Sequence, residues 1–581
     1  MRKVGGYSWE DSMEMMSPLW WTPGFPDRFK IGRGYSGTKY LPVFFQAKNL
    51  WNGYGDPYDT SYVLDGWPAD GGKYAEDYRL TLNEGHQDFL GEYQRWATSR
   101  GLHHSAQPAY NMPLDMSSTI PLVGTPELES LGFGQAVDVY PQFTGPAHLF
   151  NRTAISTEIG AQRGGAYNQA IPTLLNLFRD SFTMGINTLS IHGFAYNGPY
   201  PGTTWPGYTP FNYEFSEMWG PRQPAWRHIN DTLLYAARNC EVLKTGVPRV
   251  DLAFYTWKQP WTARPVYPDT DLTAAGYTYE YIGPENLASK NVEVRDGVLA
   301  PNGPAYKAIV LHQQTRINPS ASASLLEFAA VGLPILIVGS GTDYTTIGSG
   351  SQEIVAENMR RLTNGTFPSV KVVPQAGFRP EVLWESGVLP RLSAESLDGA
   401  PDASQLFSAW RSDPENGLEL VYLLNRGPET RFSISFTTSQ SAVPHILDAW
   451  TGEQTPLVTY LRTSTGLSTR ITLAQQQSII LAFYTPSDME TKLPLYVVSH
   501  SPNLARLRAN NRGDLVGLIS NPFEEASVLL SNNSEVVIPA INHNNSSQFS
   551  SITLSPWNLT VESYSAPANL NAGSTSSNIQ G

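Results

Sequence analysis

Between His86 and Gly246 the sequence alternates two kinds of segment, and this alternation restricts the fold more than any other feature. Runs with helical apolar spacing close on glycine: "HQDFLGEYQRWATSRGL" at Gly101, "QAIPTLLNLFRDSFTMG" at Gly185 and "PAWRHINDTLLYAARNCEVLKTG" at Gly246. Between them lie short apolar runs that open into polar residues: "HHSAQPAY", "AISTEIGA" and "INTLSIHGFAY". Helix, strand and polar loop in repetition predict βα units and a parallel sheet. Gln107, Glu158 and His192 fall at the strand ends, where a (β/α)-barrel keeps its active site. Roughly five strand candidates precede residue 245, against eight in a full barrel. Residues 1–245 are therefore expected to form the C-terminal portion of a (β/α)8-type catalytic barrel.

The pattern then changes. "VDLAFYTW", "AYKAIVLHQQ" and "LPILIVGSG" are near-continuous apolar strands. "SASASLLEFAAVG" reads as a helix between the last two, with Ser as N-cap and Gly332 as C-cap. Residues 246–355 are thus expected to be a doubly wound, Rossmann-like α/β domain. "GSGTDYTTIGSG" lacks both the dinucleotide glycine pattern and a P-loop lysine, and reads as a loop. Residues 356–400 read as a connecting region. From 401 to 490, "LELVYLLNR", "RFSISFTT", "AVPHILDAWTG" and "SIILAFYT" predict a β-sandwich. Residues 491–581 read as an incomplete β domain or tail. The fold class is α/β followed by β.

Composition narrows the partners. A net charge of -13, with no basic cluster, excludes a nucleic-acid binder, which must displace counterions with a positive face. The single cysteine, Cys240, excludes an intramolecular disulfide and a cysteine-based zinc site. In its helical pattern it reads as a buried structural thiol. No apolar run approaches the roughly 20 residues that a membrane span requires, so no membrane partner is expected. Aromatic residues make up 12% of the chain; they suit the apolar faces of sugars, and they suit aromatic cores equally. Several N-x-S/T sequons, among them Asn151 and Asn230, favour secretion slightly, although "MRKVGGYSW" carries no signal-peptide apolar stretch.

Three acidic stretches and one histidine invite chemistry. "DSMEMMSPLWWTPGF" places Glu14 beside methionines and tryptophans, where a carboxyl would keep its proton. An exposed loop acid is the competing reading, Glu10 and Asp11 are rivals, and Asp11 suits a helix N-cap as well. Glu158 follows an apolar lead-in, as a pocket acid or a salt-bridged strand end. Glu127 and Glu129 in "TPELES" point to one side of an extended segment. Paired acids suit a hard cation, and a solvated loop equally. His192 suits a sugar hydroxyl or a structural role. Without H-E-x-x-H or G-x-S-x-G, a zincin and a serine hydrolase are excluded.

Taken in order, "DSMEMMSPLWWTPGFPDRFKIGRGYSGTKYLPVF", "HHSAQPAYNMPLD", "TPELESLGF", "PAHLFNRTAISTEIGA" and "FRDSFTMGINTLSIHGFAYN" resemble the motif series of glycoside hydrolase family 106, the α-L-rhamnosidases. "YLLNRGPETRFSISF" and "LDAWTGE" are similar to its C-terminal β region. The resemblance implies an inverting hydrolase of rhamnose-containing glycosides or polysaccharides, with calcium holding the sugar. It casts Glu14 as general acid and Glu158 as the ionised general base. Glu129, or else Glu127, would bind the metal, and Trp21, Gln107, Tyr110 and His192 would line the sugar pocket. Family members are longer, with a segment ahead of D-S-x-E that holds the first barrel strands; this chain is expected to lack it, along with the end of the last β domain. Two other readings compete: a carbohydrate-binding or inactive scaffold of glycosidase type, and a related glycosidase for another sugar.

Overall fold

Short apolar runs that end in polar residues become strands, and the glycines behind the helical runs set where each strand begins. Gly101, with φ of 72°, ends the helix Gly72–Ser99 in the left-handed conformation. The Leu102 amide then turns back to the carbonyl of Ala97 (3.0 Å), the closure that glycine permits at a helix end. The strand His103–Ala106 starts one residue later. The computed structural model describes residues 5–46, 49, 62, 72–108, 114–164, 166, 168–194, 214–215, 219–220, 224–258, 267–397, 403–486, 494–510, 512–541, 556, 558–565, 568–569 and 576–580. They fall into two compact units.

The first unit holds residues 1–159, 180–190 and 247–390. Strands β1 (Tyr7–Glu10), β2 (His103–Ala106), β3 (Thr125–Glu129), β4 (Ser156–Ile159) and β5 (Thr188–Ile191) pair in sequential order. Where their registers are given they run parallel. This is half of a (β/α)-barrel, as the alternating pattern predicts. The helix Pro141–Leu149 is buried along its whole length. Its Gly145 lies so close to another strand that a Cβ would stand 2.2 Å from the carbonyl oxygen of Tyr281. No residue but glycine fits there without moving backbone. From the same helix, His148 Nδ1 bonds Glu280 (2.6 Å), and the Tyr306 hydroxyl donates to the other Glu280 oxygen (2.7 Å).

The same unit contains a second parallel sheet. Its strands are β6 (Leu252–Tyr255), β7 (Tyr279–Ile282), β8 (Ala308–His312), β9 (Ile335–Val338) and β10 (Val370–Val373), in the order β10-β9-β8-β6-β7. A strand order that reverses direction in this way defines a doubly wound sheet. The edge strand β10 comes from the stretch read as a connecting region. The helix between β8 and β9 is Pro319–Ala330, and its N-cap is Asn318, whose side chain accepts from the Ala321 amide. The expected serine cap is wrong because Pro319 takes the first helical position, where its missing N–H costs nothing. The C-cap is Val331 rather than Gly332, which follows it in the left-handed conformation. Asp77, buried on the helix Gly72–Ser99, accepts from the Tyr35 hydroxyl (2.7 Å) and from the amide and hydroxyl of Ser349 (2.9 and 3.1 Å). Ser349 lies in the loop that follows β9.

The second unit holds residues 160–179, 191–246 and 391–581. Its main part is antiparallel. Thr430–Thr437 pairs with Leu392–Ser396 and Gly466–Leu473, while Leu418–Asn425 pairs with Leu406–Asp413 and Gln477–Tyr484. Alternate residues Phe432, Ile434 and Phe436 point inward, as a half-buried strand requires, and share one core with Val421, Leu423, Leu481 and Phe483. Cys240 is half-buried on the helix Asn230–Lys244, and burial pushes its thiol up to about 11. Residues 497–538 add smaller antiparallel pairs. Among the described residues no helix is long and apolar enough to cross a membrane.

Candidate active site

The carboxyl ends of β1, β3 and β4 bring acids together. In the register of β3 against β4, Glu127 lies opposite Ser156 and Glu129 opposite Glu158. Neighbouring strands run about 4.8 Å apart, so the last pair starts from adjacent backbone. Gln107, just beyond β2 and 3% exposed, ties the strands together. Its Nε2 donates to Glu127 Oε1 (3.0 Å) and to Glu158 Oε2 (2.7 Å). Glu127 also accepts from Trp9 Nε1 (2.9 Å) and from the Ser156 hydroxyl (2.7 Å). Trp9 and Ser156 carry no sequence signal of this role; only register places them against Glu127.

Past β1 the chain enters the loop of Glu14. Asp11 caps no helix; its Oδ1 accepts from the Ser12 amide (2.8 Å) within the loop. Ser12 Oγ donates to Glu14 Oε1 (3.2 Å). The loop is pinned behind Glu14. The Trp20 amide donates to the Tyr78 hydroxyl (2.7 Å), which donates to the Trp20 carbonyl (2.8 Å), and Asn49 Nδ2 donates to the Pro18 carbonyl (2.8 Å). Glu10 faces His104, with Oε2 and Nε2 3.6 Å apart.

Electrostatics join the two catalytic candidates. Desolvation pushes Glu14 up to about 7; the bond from Ser12 opposes the rise, and the charges of Asp11 and Glu129 add to it. Desolvation likewise pushes Glu158 up to about 8; the bond from Gln107 opposes, and Glu129, Asp11 and Glu127 add to the rise. Both carboxyls feel Asp11 and Glu129, so they belong to one charged neighbourhood. Both carboxyls are raised, so burial alone does not assign the proton to one of the two. Glu158 is raised at least as far: it is desolvated more deeply than Glu14, and three acids face it against one hydrogen bond.

The remaining candidates are scattered. Trp21 is 46% exposed and leans on Phe25, with ring centroids 4.9 Å apart. His192, one residue past β5, belongs to the second unit and meets Phe215 edge-on. Tyr110 lies outside the described residues. The expected calcium ligands do not form a cage. Both Glu127 oxygens are hydrogen-bonded, and among the described residues no three His, Cys, Asp or Glu side chains converge to hold a metal ion. The crowding of acids suits a cation in charge, but the donor geometry does not.

The family model described as α-L-rhamnosidase, glycoside hydrolase family 106, matches residues 139–461, more than half of the chain. The chain belongs to family 106. The matched stretch includes Glu158 and begins after Glu14, Gln107, Glu127 and Glu129. Among solved structures, a rhamnosidase from Novosphingobium sp. PP1Y is similar at a TM-score of 0.65 and 17% identity, covering 87% of this chain and 49% of that one. This family 106 chain therefore spans about half the length of that rhamnosidase. A family 42 β-galactosidase from G. stearothermophilus gives a TM-score of 0.46 at 11% identity, covering 79% of this chain and 75% of that one. Among curated proteins none matches the chain in sequence.

Proposed function

We propose that this chain carries the acid–base centre of an α-L-rhamnosidase and cleaves terminal α-L-rhamnosyl bonds with inversion. One observation supports the reading above the others: Glu14 and Glu158 are both raised and share Asp11 and Glu129 as neighbours. Hydrolysis by inversion needs one carboxyl protonated and one ionised on opposite sides of the bond. Two acids at about 7 and 8 leave the pair short of full ionisation in neutral water. In the proposed step Glu14 gives its proton to the glycosidic oxygen as the C1–O bond breaks. Glu158 takes a proton from the water whose oxygen bonds to C1. The hydrogen bond from Gln107 favours the anion of Glu158 and so readies it as base. No step in this reading is routed through calcium.

Proton NMR of an aryl α-L-rhamnoside incubated with the full chain tests the reading. β-L-Rhamnose is expected as the first product. α-L-Rhamnose first would refute inversion, and no cleavage of any rhamnoside would refute the assignment. A parallel run with chelator reads whether cleavage needs a metal ion.

A further inference from the structure

The side-chain nitrogens of Gln107 and Trp9 are both engaged with acids. Gln107 lies just beyond β2 and is buried. Its Nε2 carries two hydrogens, and two carboxyl oxygens take them: Glu127 Oε1 at 3.0 Å and Glu158 Oε2 at 2.7 Å. That nitrogen has no hydrogen left for a sugar hydroxyl, the role that the family resemblance gives this residue. An ionised carboxylate only accepts, so the amide must turn its NH2 end toward the pair. Its bond to Oε2 in turn fixes the rotation of the Glu158 carboxyl.

What holds the Gln107 amide is Glu127, itself buried. Donors from β1, from just past β2 and from β4 meet on it. Trp9 Nε1 (2.9 Å) and Gln107 share Oε1, and the Ser156 hydroxyl (2.7 Å) takes Oε2. Trp9 is the donor whose removal disturbs the fold least. It stands beside Ser105 in the register of β1 against β2 and is 50% exposed, so little packing depends on it. Without its N–H, Oε1 keeps the Gln107 donor alone. Glu127 then swings on its flexible stem, and the Gln107 amide follows it.

We propose that Trp9 and Gln107 are positioning residues that aim Glu158: Trp9 holds Glu127, Glu127 holds the Gln107 amide, and the amide holds the carboxyl. This rests on the reading of Glu158 as the base. Neither residue touches the sugar or the attacking water in this scheme. A group that aims the base is felt as the proton moves, so its loss lowers kcat and leaves KM unchanged. A group that binds the sugar equally before and during the reaction raises KM instead. Two residues that act through one chain of contacts also give non-additive losses.

Steady-state kinetics of the full chain on an aryl α-L-rhamnoside, with Trp9→Phe, Gln107→Met and the double variant, is the test. Gln107→Met is expected to lower kcat about tenfold or more, as loss of a hydrogen bond to a charged group implies. Trp9→Phe is expected to lower it several-fold, with KM unchanged in both. In the Gln107→Met background, Trp9→Phe is expected to change kcat no further. Thermal unfolding checks that the variants remain folded. Gln107→Asn, which keeps the amide and withdraws it by one methylene, carries the same test if Gln107→Met does not fold. A rise in KM with kcat kept, a Trp9→Phe chain as active as the parent, or losses that multiply in the double variant would overturn the proposal and leave the rhamnosidase reading in place. The expected pattern on the glycoside of another sugar would uphold the positioning and refute rhamnose alone. A chain that cleaves no glycoside would overturn both.

Discussion

The two parallel sheets of the first unit share a backbone plan and are filled in opposite ways. Strands β6 to β10 bury Leu252, Ala253, Phe254, Ile309, Val310, Leu311 and Ile337. Their buried acid, Glu280, is hydrogen-bonded in place by His148 and Tyr306. Strands β1 to β4 and their ends bury His104, Ser105, Gln107, Thr125, Glu127, Ser156 and Thr157. A covered parallel sheet ordinarily reads as a continuous apolar run. Polar filling costs stability unless every group is paired, and in the first sheet it converges on Glu127 and Glu158. Topology alone makes both sheets candidates for a site; the filling separates the working sheet from the scaffold.

The sharpest way to break this contrast is to remove a carboxyl from the polar sheet. Glu158→Gln is expected to lower kcat on aryl α-L-rhamnosides by about 10²–10⁴-fold while the urea midpoint does not fall. Glu14→Gln is expected to lose as much on methyl α-L-rhamnoside and far less on a dinitrophenyl rhamnoside, whose leaving group needs no acid. Equal losses on both substrates would take the acid role from Glu14. The matching change in the apolar sheet is Leu311→Ala, expected to cost about 2–5 kcal/mol in urea unfolding with kcat unaltered. If it removed turnover as well, the division between site and scaffold would collapse.

Smaller effects sharpen the contrast. Glu127→Gln keeps the shape and replaces one acceptor oxygen by an NH2 donor, so that either Ser156 or the pair Trp9 and Gln107 loses its acceptor, at a cost of about 2 kcal/mol in urea unfolding. A change under a few tenths would show that Glu127 does not organise the strand ends. The pH dependence has a defined sign. Glu158 ionises near its ordinary 4.5 when unfolded and near 8 when folded, so between these values the folded chain binds the extra proton. Its contribution to stability is therefore present below about 4.5 and declines as pH rises to about 8, at no more than about 1.4 kcal/mol per pH unit. Urea titrations at pH 5 and 8 should show that decline, reduced in Glu158→Gln. Least of all, Gly85→Ala should add about 0.5–1 kcal/mol, since glycine within a helix is the poorer former and its Cβ meets open space.

What could be read from sequence follows from locality. An apolar run that ends in Glu158 or in "TPELES" announces a strand end carrying acids, and the glycine-closed helices announce the βα order. Asn318 as cap was hidden because Ser320 and Pro319 both offered local alternatives. Strand β10 is four residues of "VKVV" and gives too little pattern to mark. Trp9 and Glu127 stand 118 residues apart, and no spacing rule links them; only sheet register does. The ionisation of Glu158 depends on its burial first, and then on Gln107, Glu129, Asp11 and Glu127 from three other strand ends, so its direction emerges only in three dimensions.

The contacts of Asp77 set a schedule for the chain. Its partner Ser349 is 272 residues downstream, and a ribosome adding about 5–20 residues per second emits that residue roughly 15–50 seconds later. Until then Asp77, on the helix whose Tyr78 anchors the Glu14 loop, has of these partners only Tyr35. A nascent half-barrel therefore waits for the loop after β9 before that buried carboxylate is satisfied. The helix behind the Glu14 loop matures at the pace of translation rather than of its own local folding.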